Sequence, residues 1–282
     1  MNRYAVLCGN GRFPVLALEE ARKLGHDVVA VGVKGEAGPE IESLAARTYW
    51  ITIAELGKLI DILQKESITE LIFCGQVKHA SLFSSLRPDW RMAKMLFGLK
   101  ERNTDALIGG VIDVLAGEGI RVLDSTTLLK PLLAAEGKLT RRAPTPDEEK
   151  EIGYGRRIAA ALSGFDVGQS VVICERACVA LEAMEGTDAM LRRAAGLANG
   201  RRLTLVKGSR RRGHLLFDVP VAGPGTIATM RETGASVLAV DAGRTLLLDR
   251  AEMLAAADAA GLAVAGYPVE DLQGIQTEEV RQ

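Results

Sequence analysis

The sequence predicts a two-domain α/β protein, and three observations predict it. At 282 residues the chain is long for one ordinary domain and comfortable for two. Its first third alternates short apolar runs with segments of helical period, the rhythm of a mainly parallel, doubly wound sheet. That rhythm breaks between Ala134 and Tyr154, and a second α/β pattern follows the break.

The elements justify this in order. Tyr4–Cys8 is an apolar strand that runs into Gly9-Asn10-Gly11. Pro14–Leu24 carries helical periodicity and Gly25 closes it. Val28–Val33 is a buried strand, Ile51–Thr52 a brief one, and Glu55–Lys65 an amphipathic helix. Leu71–Cys74 is a fourth strand, ending in Gly75. Met92–Leu99 and Asp105–Glu118 read as helices, and Ile120–Leu123 as a strand. Gly137, Pro144 and Pro146 then interrupt the pattern, so the domains are placed at 1–133 and 155–282 with a linker over 134–154. Thr145-Pro146-Asp147-Glu148-Glu149 reads as the cap of a helix reaching Leu162. Strands follow at Gln169–Cys174 and Cys178–Met184, then a helix over Asp188–Ala198 and a strand over Leu203–Lys207. Ser236–Asp241 and Thr245–Leu248 are strand-like, Ala251–Ala260 is a helix, and Ala263–Gly266 closes the pattern. The charged tail after Pro268 has no patterned apolar face and is expected to be unordered.

Composition narrows the function classes. Hydrophobic residues make up 48% of the chain, enough for two cores. The net charge of −1 argues against a general nucleic-acid binder, whose affinity rests on a basic excess. Cys8, Cys74, Cys174 and Cys178 do not make a disulfide scaffold in a chain this long, and a cytoplasmic protein is expected. Cys174 and Cys178 have a metal-pair spacing, but three histidines in the chain, none nearby, argue against zinc. No leader peptide is evident and the apolar runs are shorter than a bilayer span, so lipid contact is expected to be peripheral.

Four segments carry candidate chemistry. Val6–Pro14 brings a strand to Gly9 and Gly11 just before a helix, a setting in which backbone N–H groups can approach a phosphate. A dinucleotide fingerprint needs a third glycine where Pro14 stands, and the acid expected after the second strand is Lys34, so a nicotinamide enzyme is disfavoured. A tight turn without ligand is the plainer alternative. Phe73–His79 ends a second strand in Gly75-Gln76, with Lys78 and His79 beyond it, either at a ligand crevice or in a solvated loop. Glu182–Arg193 holds Glu185-Gly186-Thr187-Asp188 at a helix start, with Arg192 and Arg193 on the following turns. Its carboxylates suit a hard divalent cation and its arginines a phosphate; the bland reading is a helix cap with a charged face. Leu205–Thr226 combines Lys207 with Arg210-Arg211-Arg212, a basic loop that suits a diphosphate or stands in solvent. Asp218 lies among apolar residues there and needs a metal ion or a cation as partner, a structural ion pair included.

In order and spacing, these segments resemble the UDP-2,3-diacylglucosamine pyrophosphatase family of lipid A biosynthesis, the family unrelated to the calcineurin-like phosphoesterases. The resemblance runs from Tyr4 to about Gly266. It rests on Gly9-Asn10-Gly11 with Pro14, Gly75-Gln76-Val77, and Thr104-Asp105-Ala106-Leu107. The most specific stretches are Glu182 to Arg193 and Asp218-Val219-Pro220 with Gly223 and Thr226. The resemblance implies a Rossmann-like N-terminal domain, a distinct C-terminal α/β domain joined by a linker, and a lipid held between them. It implies a homodimer, peripheral contact with the inner membrane, and Mg²⁺-dependent hydrolysis to 2,3-diacylglucosamine 1-phosphate and UMP. Asp218 matches the family's essential aspartate and is expected to bind Mg²⁺ or orient the attacking water. Glu185, Thr187 and Asp188 are expected to complete the metal or phosphate shell. Gly9, Asn10, Gly11, Gly75, Gln76, Lys78, Arg192, Lys207 and Thr226 are expected to bind substrate. The chain departs from the family pattern at Leu216, where an arginine is usual, at Thr104 in place of an acid, and in the loop 210–213. Those departures keep open a protein that binds the nucleotide-sugar lipid without turning it over.

Overall fold

A computed structural model describes residues 3–76, 88–99, 104–163, 167–209, 216 and 219–269, with the side chains of 104 and 105 outside that description. The chain divides into two compact units: residues 1–129 with 215–217, and residues 130–214 with 218–282.

The first unit is a five-stranded parallel sheet in the order β3-β2-β1-β4-β5, the Rossmann-like arrangement expected. Its strands are β1 (Arg3–Cys8), β2 (Asp27–Val33), β3 (Arg47–Ile51), β4 (Glu70–Cys74) and β5 (Arg121–Leu123). The third strand ends where the sequence reading began it, because Arg47–Trp50 pair with Val29–Gly32 although their burial is only partial. Helix α1 (Arg12–Lys23) packs on β1, β2 and β4. Helices α2 (Leu56–Lys65), α3 (Trp90–Gly98) and α4 (Thr104–Gly117) cover a second core. There Leu59, Ile60 and Leu63 of α2 and Met92 and Met95 of α3 meet Ala5, Val29, Val31 and Leu71 of the sheet. Glu66, almost fully buried, closes the opposite end of this sheet by accepting from Tyr49 and from the guanidinium groups of Arg47 and Arg3.

The second unit is built on a six-stranded mixed sheet, order β6-β13-β11-β9-β7-β8. The strands are β6 (Gly137–Lys138), β7 (Ser170–Cys174), β8 (Ala177–Leu181), β9 (Leu203–Lys207), β11 (Ala235–Asp241) and β13 (Ala263–Tyr267). β9, β11 and β13 are parallel, while β7 runs against both β8 and β9. A two-stranded pair, β10 (Val221–Ala222) with β12 (Leu246–Leu247), sits beside it, so the strand expected over Thr245–Leu248 shrinks to two residues.

Side chains alternate across the larger sheet with period two. Val171, Ile173, Val237 and Ala239 face Ile152 and Ala159 of α5 (Pro146–Leu162). Val172, Leu205, Leu238 and Val240 face the other way, onto α6 (Thr187–Ala198), α7 (Pro224–Thr233) and α8 (Arg250–Ala259). The stretch 134–154, expected as a linker, is built into this unit. Its Gly137 and Lys138 pair antiparallel with β13, and its Thr145 caps α5 in a reciprocal box with Glu148. Cys174 and Cys178 belong to the β7–β8 hairpin, and no cluster of three or more metal-type side chains occurs among the described residues. No helix among those residues is long and apolar enough to cross a membrane.

The turns after β1 and β4 lie side by side because their strands are neighbours. Gly75 has φ +88°, and a Cβ there would stand 2.6 Å from the Asn10 carbonyl oxygen and 2.9 Å from Pro14. Gly75→Ala is therefore expected to cost about 2–3 kcal/mol, from left-handed strain plus the clash. Urea unfolding measures it, and a loss under about 0.5 kcal/mol would mean that the turn relaxes freely.

Candidate functional site

In the second unit, strand direction gathers polar residues at one edge of an apolar sheet. Lys207, Asp241 and Tyr267 are the last residues of β9, β11 and β13. Because β7 is antiparallel, its first residue, Ser170, pairs with Lys207 at that same edge. Glu182, directly after β8, joins them through its N–H, which donates to the Ser170 carbonyl at 2.9 Å. Carboxyl ends of parallel strands are where open α/β sheets bind ligands.

Lys207 is buried, 5% exposed, and its ammonium donates to Thr187 Oγ1 at 2.7 Å and, more weakly, to Ser170 Oγ at 3.4 Å. The Thr187 hydroxyl donates in turn to Glu182 Oε1 at 2.8 Å. Thr187 is the first residue of α6, which starts after Gly186 with no side-chain cap among the described residues, so its first amides lack an intrahelical partner and suit an anion. A buried cation beside an uncapped helix start is an anion-recognising arrangement. Next to it, Ser209 donates through both N–H and hydroxyl to Asp241 Oδ2, at 2.7 and 2.8 Å, which ties the start of the following loop to β11. Arg156 of α5 stands 3.9 Å from the other Asp241 oxygen and stacks over the Tyr267 ring. Burial raises the Tyr267 hydroxyl pKa above its ordinary value, and the Glu149 carboxylate that accepts from it adds to the rise.

The other residues expected here take distinct places. Glu185 accepts from the Ala183 N–H and pairs with Arg193 at 2.6 Å, and that guanidinium holds its carboxyl below the usual range. Arg192 pairs at 3.0 Å with Glu232 of α7 in an exposed bridge. Asp188 lies in the first turn of α6 with its side chain exposed. Thr226 accepts from the Gly223 N–H at 3.3 Å, at the start of α7. Asp218, Lys78, His79 and the arginines 210–212 lie outside the described residues.

In the first unit, the glycine turns are bonded to each other. Gly9 N–H donates to the Cys74 carbonyl, Asn10 N–H to the Gln76 carbonyl at 2.6 Å, and Gln76 N–H back to the Asn10 carbonyl. The amides of Gly9, Asn10 and Gln76 are thereby committed to the backbone. α1 begins behind Gly11 with no side-chain cap among the described residues. Ser125 donates to both the Phe73 and Leu216 carbonyls at 2.6 Å, so Leu216 is held within the first unit by its backbone.

Sequence reasoning missed Ser170, Ser209 and Asp241. The available signal was their position: each is a polar residue at or beside the end of an apolar strand run, as Lys207 is.

Among the described residues, Glu182 is the one carboxylate bonded to this group and Lys207 supplies positive charge beside it, so those residues by themselves do not make a divalent-ion site.

A Rossmann-like unit, plus a second α/β unit with a buried lysine at the carboxyl edge of its sheet, defines a class of two-unit α/β proteins suited to anionic ligands. Residues 3–132 match the model of the LpxI N-terminal domain and residues 135–265 that of the LpxI C-terminal domain. The chain belongs to the LpxI family. It is 30% identical over 281 residues to the UDP-2,3-diacylglucosamine pyrophosphatase LpxI of Caulobacter vibrioides, covering 96% of this chain and 99% of that one.

Among solved structures, a UDP-glucose-4-epimerase from Stenotrophomonas maltophila aligns with TM-score 0.28 and 15% identity over 42% of this chain and 34% of its own. Glycinamide-RNase-transformylase T from Mycobacterium tuberculosis aligns with TM-score 0.28 and 14% identity over 61% of this chain and 35% of its own. The chain thus spans about a third of those proteins, and likenesses at that level carry no argument about the site.

Proposed function

We propose that the protein hydrolyses UDP-2,3-diacylglucosamine to 2,3-diacylglucosamine 1-phosphate and UMP. The observation that carries the reading is the match to the Caulobacter pyrophosphatase along nearly the whole of both chains. Water attacks the α-phosphorus, the bond from that phosphorus to the bridging oxygen breaks, and the acylated sugar phosphate leaves. The buried Lys207 ammonium and the open amides of α6 are suited to the diphosphate oxygens, whose charge grows as that bond breaks.

Asp218 is assigned the attacking water or the metal. Mg²⁺ belongs to the proposal as an ion that one or two carboxylates share with substrate phosphates, since this ion seldom sits in an all-protein cage. The same reading includes a homodimer working in the cytoplasm with peripheral contact at the inner membrane, where a diacylated substrate resides.

The test is incubation of the purified protein with UDP-2,3-diacylglucosamine in ¹⁸O water, with and without a chelator. UMP carrying the label, together with unlabelled sugar phosphate, is the expected result, and chelation is expected to stop it. Label in the sugar phosphate would place attack at the other phosphorus. Retained substrate binding without UMP release would make the chain a binding protein.

A further inference from the structure

Glu182 was no more than part of a motif in the sequence, and its surroundings give it a task. Glu182 is 7% exposed; Oε1 accepts from Thr187, while Oε2 is buried with no hydrogen-bond partner among the described residues. A half-satisfied buried carboxylate is costly unless a cation compensates it. The compensating cation is Lys207, one hydroxyl away, at 2.7 Å from the same Thr187 oxygen. The backbone holds Glu182 in place from two sides. Its N–H bonds Ser170, and its carbonyl packs so closely on Gly168 that a Cβ at Gly168 would collide with it.

Hydrogen-bond directions follow from the chemistry of the three groups. An ammonium only donates and an ionised carboxylate only accepts, so the hydroxyl between them donates to Glu182 and accepts from Lys207. The Thr187 proton is committed to the 2.8 Å bond with the charged acceptor rather than to the 3.4 Å approach of Ser170. Thr187 therefore has no hydroxyl proton left for a phosphate oxygen, and its direct contribution to a ligand is the backbone amide at the start of α6. Glu182 Oε2, closed off from solvent, is equally closed to a ligand.

We propose that Glu182 is a positioning residue: through the Thr187 hydroxyl it holds the Lys207 ammonium in register for the phosphate oxygens of a ligand at the carboxyl edge of the second sheet. This rests on the diphosphate-hydrolysis reading for the identity of the ligand. The geometry of the three groups stands independently of it.

The experiment uses the full-length protein with two readouts. In ¹⁵N-lysine-labelled protein, the Lys207 ammonium signal, assigned by its disappearance in Lys207→Met, is expected to persist in wild type because the bond to Thr187 slows proton exchange. It is expected to broaden in Glu182→Gln and Thr187→Val and to survive in Thr187→Ser, which keeps the hydroxyl. In hydrolysis of UDP-2,3-diacylglucosamine, Glu182→Gln is expected to lower kcat about 10- to 100-fold with KM changed less than about threefold. Acting through one chain, Glu182→Gln added to Thr187→Val is expected to lower the rate by less than about threefold further. Unfolding curves identify any variant that fails to fold, and Glu182→Gln preserves both size and the acceptor oxygen.

An unchanged Lys207 signal in Glu182→Gln would overturn the proposal, as would multiplicative losses in the double variant. A variant that loses only stability, with wild-type kcat per folded molecule, would make the network structural and equally overturn it. If the wild-type protein releases no UMP, the hydrolysis reading falls, and the ammonium signal decides the positioning claim by itself.

Discussion

Lys207→Met is expected to lower kcat/KM for UDP-2,3-diacylglucosamine about 100- to 1,000-fold, the range seen when one preorganised donor to a developing oxyanion is removed. Lys207 is buried and bonded to Thr187, so its charge is already desolvated and aimed before any ligand arrives. That is the condition under which a single cation counts most, because no reorganisation is needed as charge builds on the phosphoryl oxygens. The same substitution strips the Glu182 carboxylate of its compensating charge and is expected to cost on the order of 2–3 kcal/mol of stability.

The two effects separate by measuring kcat/KM at a temperature where the variant is fully folded. Lys207→Arg keeps the charge but puts a planar fork in a space that holds a slender ammonium, so it is expected to recover less than about a tenth of the lost activity. Full recovery by arginine would show that charge alone matters and that the Thr187 and Ser170 contacts do not. Asp218→Ala is the companion variant, expected to abolish turnover.

Acid unfolding between pH 4.5 and 2 is expected to depend on Glu148. This carboxylate is 4% exposed and accepts from Arg142 at 2.7 and 2.8 Å, from the Thr145 N–H and from the Ser236 hydroxyl. Burial pushes its carboxyl up, but the Arg142 guanidinium, the Thr145 amide and the Ser236 hydroxyl outweigh burial and hold it at about 2, against an ordinary 4.5. A carboxylate whose pKa is depressed by folding contributes stability above its unfolded pKa, and that contribution is lost as pH falls through the folded value.

The depression corresponds to about 3 kcal/mol, present at neutral pH and gone near pH 2. Glu148→Gln is therefore expected to be less stable than wild type by about that much at pH 7, with the difference closing between pH 4.5 and 2. Other carboxylates titrate in the same range. Glu66 is also held low, first by the Tyr49 hydroxyl and then by Arg47, so the readout is the gap between the two proteins in circular dichroism melts. A gap that stays constant across that range would mean Glu148 is not held low by its partners. The consequence is global, because Arg142 also bonds the Ser236 and Gly261 carbonyls and thereby joins the cap of α5 to the start of β11 and the turn before β13.

Much of this was present in the chain before any coordinates. Local patterning alone marks β1, β2, β4, β7, β9 and β11, because each is a largely apolar run closed by a glycine, a charge or a polar residue. It also marks the cap at Thr145, since a reciprocal cap needs only residues three apart. Lys207 and the Glu185-Gly186-Thr187-Asp188 stretch were legible as candidate chemistry, and the family resemblance, spread over the whole length, was legible with them.

Tertiary structure decided which of these groups meet. Adjacency of β1 and β4 bonds the two glycine turns to each other, so amides that looked free for a phosphate at Gly9 and Asn10 are occupied. Antiparallel entry of β7 brings Ser170 beside Lys207, and the hydroxyl of Thr187, a candidate phosphate ligand in the sequence, is instead the link between Lys207 and Glu182. The stretch 134–154, loose in composition, is ordered by pairing with β13 more than a hundred residues later. The reason is common to all three. Helical and strand periods are properties of a few consecutive residues, whereas strand order and the sharing of one proton between distant side chains exist only after the sheet has closed.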